Sequence, residues 1–177
     1  MAEMMMPLRN LFQWVSEFPT SIAIRESLLF SHYLTVSHVV SMCLFAGLIV
    51  MMDLRLLGIG NMSTPFSEVQ KRLFPWQMLG MGLSAVSGLI LVYSQPMRYA
   101  GKIFFWTKMG LMMLAGINAI VFHLTTYRSV ASWDNDRVLP AGARLAGMLS
   151  IGLWALIVIF GRLTPYNWID DWVKIPE

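Results

Sequence analysis

Cysteine is nearly absent. A single thiol, Cys43, stands in 177 residues, so the chain carries no disulfide framework and no thiol-based zinc motif. Within an apolar run its expected role is that of a small buried side chain. Charge is scarce as well: 13% of residues are Asp, Glu, Lys or Arg, and the net charge of +3 is spread over loops without a basic run. That pattern disfavours a nucleic-acid partner. The N-terminus lacks the basic region, apolar core and small-residue cleavage site of a secretory signal, so the first apolar run is expected to be retained. The apolar runs hold no paired carboxylates and no nucleophile beside a base, which argues against an autonomous enzyme.

What fills the chain instead is apolar surface, 56% of residues with a mean hydropathy of +0.60. A soluble domain of this size does not carry that composition. A helix crosses the hydrocarbon core in about 20 residues, and four runs reach that length, at 27–52, 76–93, 104–127 and 143–160. The expected fold is therefore all-α, a transmembrane four-helix bundle in one domain spanning 1–177. Its connections hold ordinary turn chemistry: Gly58, Gly60, Asn61 and Pro65, then Pro96 and Gly101, then Asp134, Asn135, Asp136 and Pro140. Ahead of the first span, Leu8, Leu11, Phe12, Val15 and Phe18 recur at helical spacing among polar residues, predicting a short interfacial amphipathic helix closed by Pro19. Trp168 and Trp172 beside Asp170 and Asp171 suggest an interfacial segment at the other end. Even span number puts both termini on one side, and the near balance of Lys and Arg between the two sides assigns no orientation.

Small residues recur four apart in the second span (Gly80, Ser84, Gly88) and in the fourth (Ala143, Gly147, Ile151, with Gly142, Ala146 and Ser150 alongside). Such spacing lets helix backbones approach closely and predicts a compact bundle rather than phosphate binding.

The chemistry is expected at histidine. Ser27, Ser31, Thr35, His38 and Ser41 fall within about 60° on one face of the first span. On the third, Met109, Met112, Gly116, Ala119, His123 and Tyr127 share a face, leaving room beside His123 for a flat group. Ionisable residues in hydrocarbon are costly and mark candidate sites. His38 and His123 are the available pair of axial ligands for one haem b, with Arg55 and Arg162 as partners for its propionates, or as lipid anchors. Depth is the test. Counted from Glu26 and Lys108, the two histidines differ by about 4 to 5 Å, and counted from Asp53 and Arg128 by about 15 Å. The competing reading makes each histidine a hydrogen-bonded packing residue. His32, about 120° around the helix from His38, is expected at the interface, and Asn118 as an interhelical donor. Fifteen methionines raise copper through His123, Met112 and Met109, although gap filling explains them more simply.

The run from His38 to Gly58, ending Asp53-Leu54-Arg55-Leu56-Leu57-Gly58, together with residues 118–123 (Asn-Ala-Ile-Val-Phe-His) and Gly161-Arg162, resembles an uncharacterised family of small bacterial four-helix membrane proteins. In outline the layout is similar to cytochrome b561-like and copper-resistance-D-like bundles, whose helix histidines hold b-type haem. The resemblance implies a multi-pass protein of the bacterial inner membrane. With His38 and His123 as ligands, the expected function is electron transfer between a quinone and a redox partner. The alternative is a cofactor-free structural or assembly subunit of a larger membrane complex or homo-oligomer.

Overall fold

The computed structural model describes residues 2–60, 62–136 and 138–166, with side chains from Pro7 onward. The segment containing Trp168, Trp172, Asp170 and Asp171 lies outside the described residues, as does Arg137.

Among the described residues the chain is helical, and four helices are long and apolar enough to cross a membrane: α3 (Leu28–Leu56), α4 (Phe66–Ser94), α6 (Ile103–Leu124) and α7 (Ala141–Leu163). Two short helices, α1 (Ala2–Ser16) and α2 (Pro19–Glu26), precede them, α5 (Pro96–Ala100) links α4 to α6, and a 3-10 segment (Thr126–Ser132) follows α6. Pro19 does not simply close the first helix. It starts α2, where its fixed φ and missing N–H suit the first helical turn.

Span edges move for a physical reason. α4 begins at Phe66, ten residues before the expected edge, and runs through Pro75. At 29 residues, α3 and α4 are each about 43 Å long, well beyond the hydrocarbon thickness of about 30 Å. Their extra turns carry Asp53 and Arg55 on one helix and Glu68, Gln70, Lys71 and Arg72 on the other. Hydropathy alone cannot see a helix continue past the membrane.

α3 packs chiefly on α4 and α6 on α7, and the α3–α7 seam joins the two pairs. Glycines set these seams. A Cβ on Gly80 would stand 3.2 Å from the backbone of Phe45, and one on Gly147 would stand 3.1 Å from the carbonyl oxygen of Asp53. The expected small-residue contacts are therefore real approaches of backbone to backbone. Apolar side chains such as Leu28, Leu29, Leu89 and Met113 point outward, as hydrocarbon requires. Cys43 is also exposed on the helix surface, which corrects the buried position expected for it.

The apolar core gathers at the loop end, where Met52, Leu56, Phe66, Val69, Phe122, Trp133, Leu139, Ala143 and Ala146 pack together. At the opposite end α1 lies across α5, with Phe12 stacked 6.3 Å from Trp106, while Ser21 on α2 donates to the Tyr93 carbonyl at 2.8 Å and Thr20 bonds the Tyr93 hydroxyl.

Candidate functional site

His38 projects from α3 onto α4. Its Nδ1 lies 3.0 Å from Ser87 Oγ. That hydroxyl donates to the Leu83 carbonyl at 2.6 Å, so its proton is committed and it accepts from Nδ1–H. The ring rests on Gly88, where a Cβ would come within 3.0 Å of Cε1. The ring also makes a hydrogen bond to the Ser84 backbone carbonyl, so it is held by two successive turns of α4. Ser41 donates to the His38 carbonyl at 3.0 Å, while Thr35 and His32 bond back to carbonyls four residues earlier. The polar stripe thus splits: its inner part meets α4, and its outer part satisfies itself along its own helix. His32 is exposed, as an interfacial histidine would be.

His123 is exposed at the end of α6, with its ring centroid 5.2 Å from that of Tyr127 and the two rings tilted by 46°. Its Nδ1 donates to the Ala119 carbonyl at 2.9 Å, leaving Nε2 to accept from the Gln70 amide at 3.2 Å. Both nitrogens are occupied.

The structure does not bring the two histidines together. Each is bonded to α4, but Ser87 and Gln70 stand seventeen residues apart on it, about 25 Å along the axis. Axial ligands of one iron face each other across a single atom. The separation exceeds both expected offsets; the Lys108 side chain lies across Gly161 near the end of α7, with Nζ 3.7 Å from where a Cβ would be. A haem shared by His38 and His123 does not fit these positions.

The arginines also separate. Arg55 is 1% exposed, and its guanidinium donates to the Thr64 carbonyl at 3.1 and 3.2 Å, to the Asp134 carbonyl at 3.3 Å and to Met62 Sδ at 3.3 Å. It is neither a propionate partner nor a lipid anchor, because loop carbonyls have claimed its donors. Arg162 lies at the other end of the molecule, 5.4 Å above the Tyr166 ring.

Sequence reasoning missed what holds the loop end. Asp134 caps α4 from a distant loop, accepting from Ser67 N–H at 2.8 Å and Ser67 Oγ at 2.6 Å. A carboxylate at a helix N-terminus satisfies free amides and opposes the positive end of the dipole. No local signal announces a cap that arrives from 67 residues away. Asn118 does serve as an interhelical donor, reaching the Ala146 carbonyl at 3.0 Å, and Gln77 does the same to Leu48 at 3.2 Å. Asp53 is buried at the α3–α7 seam, and its Oδ2 has no partner among the described residues.

Met112 is exposed, and among the described residues no group of three His, Cys, Asp or Glu side chains is placed to hold a metal. No family model, curated protein or solved structure matches this chain.

Proposed function

We propose that this chain is a structural or assembly subunit of a larger membrane complex, working through its shape rather than through a cofactor of its own. The observation that carries the reading is the use made of the intramembrane polar groups. His38, His123, Gln77 and Asn118 each complete a contact between helices, and the two histidines stand about 25 Å apart along α4. Hydrogen bonds of this kind fix helix register in lipid. The N-terminal helices add a platform at one membrane face, with Leu11 and Trp14 exposed on it and available to a neighbour.

One observation favours a second reading, electron transfer between a quinone and a redox partner through a b-type haem. The His38 ring is oriented by a hydrogen bond from Nδ1 to the Ser87 hydroxyl on the neighbouring helix, and metal-bound imidazoles are oriented by such a bond at their other nitrogen. That reading ranks second because His123 is not placed to be its other axial ligand.

Gentle detergent extraction followed by native mass analysis and a reduced-minus-oxidised visible spectrum separates the two. A stoichiometric partner without a haem band supports the subunit reading. A b-type band lost in His38→Ala overturns it.

A further inference from the structure

We infer that the cleft between the end of α2 and α5 binds the phosphate headgroup of an acidic phospholipid. The cleft holds about 190 Å³ and is lined by Arg25, Gln95, Pro96, Met97 and Arg98. Two chain segments far apart in sequence bring the arginines together: Arg25 in the last turn of α2, and Arg98 on the short helix joining two spans. Their depth is set by the fold. α2 leads straight into α3, and α5 lies between the end of α4 and the start of α6, so both arginines sit where spans meet the membrane surface.

Neither guanidinium is neutralised among the described residues. The one salt bridge found among them joins Arg72 to Glu68 at the opposite end of α4. Arg98 is held by Gln95, whose Oε1 accepts from Nη1 at 3.0 Å, leaving its other N–H groups for a ligand. Arg25 has no hydrogen bond to a described side chain. Two planar five-donor groups around one cleft match the oxygens of a phosphate, which arginine binds in a bidentate manner. Pro96 and Met97 add apolar lining beneath the acyl-bearing part of the ligand. Basic pockets beside membrane helices are sites for anionic headgroups.

The test uses the full chain reconstituted into phosphatidylcholine bilayer discs with a titrated fraction of phosphatidylglycerol, with bound lipid counted by native mass spectrometry. The wild type is expected to retain phosphatidylglycerol in preference to phosphatidylcholine. Arg25→Gln with Arg98→Gln should lower that retention roughly 30-fold, each arginine contributing about a fivefold factor. Arg72→Gln, at the other end of α4, should leave it unchanged. Equal retention in the double variant overturns the site. Displacement of the lipid by millimolar inorganic phosphate overturns the lipid as ligand and assigns the cleft to the free anion. Should the double variant lose its helical circular dichroism, the single variants give the same reading, with a loss of about fivefold each and none overturning the proposal.

Discussion

Gly82 and Gly88 lie on the same helix and carry opposite expectations. A Cβ at Gly82 meets nothing within 4 Å, so Gly82→Ala should gain up to about 1 kcal/mol from helix propensity. A Cβ at Gly88 meets the His38 ring at 3.0 Å, so Gly88→Ala should cost about 1 to 3 kcal/mol by overpacking. The cost should shrink when His38→Ala is combined with it, because both changes act on one contact. Denaturant titration in mixed micelles measures all four proteins. Arg55→Ala should be more damaging, on the order of 3 kcal/mol, since it leaves the Thr64 carbonyl without two charge-assisted bonds and the Asp134 carbonyl without one. Arg55→Lys should not restore stability, because a single ammonium cannot reproduce the planar fork that spans both loops. Limited proteolysis between α3 and α4 should speed up in both Arg55 variants. Of these positions the sequence showed Gly88 as a packing residue and Arg55 as a residue at a span end. It did not show the partners, because a partner 50 or 79 residues away leaves no local trace.

At the scale of elements, apolar length predicted four membrane helices, and among the described residues four helices are long and apolar enough to cross a membrane. The edges were legible where a turn residue coincides with the end of the helix, as at Pro140 just before Ala141 of α7, and not where a helix continues into water, as at Phe66 for α4. α4 owes its start to Asp134, so Asp134→Ala should fray its first turns at a cost of about 1 to 2 kcal/mol. Faster amide hydrogen exchange confined to residues 66–70 would report it. α4 and α6 meet at the loop end through Gln70 with His123 and Phe66 with Phe122. His123→Ala should therefore cost only about 0.5 to 1 kcal/mol, the usual worth of an interhelical hydrogen bond in a membrane protein. A histidine that anchored a cofactor would cost far more, and the same titration distinguishes the two outcomes.

For the whole molecule, the arrangement is two helix pairs, α3 with α4 and α6 with α7, joined along the α3–α7 seam and capped at one end by an apolar core under latched loops. Cys43 is exposed on the outer surface, so Cys43→Ser should leave stability unchanged and provide a thiol-free background. In it, a short bifunctional thiol reagent should join His38→Cys to Ser87→Cys and fail to join His38→Cys to His123→Cys. Cross-linking of the second pair would refute the separation of the histidines. Gly147→Val should weaken the seam itself, because the added atoms meet the Asp53 carbonyl and Leu56 at 3.1 Å, and backbone cannot move aside as a side chain can.

Composition by itself determined that the described residues include four helices long and apolar enough to cross a membrane, since apolar run length is a local property that lipid reads directly. Residue spacing determined which faces carry glycine and which carry histidine. Only the tertiary structure decided what those faces meet. Helical periodicity gives an angle around an axis, and neither the stagger between helices nor the depth of a side chain follows from it. That stagger separates His38 from His123, turns Arg55 inward to the loop carbonyls and sets Arg25 beside Arg98.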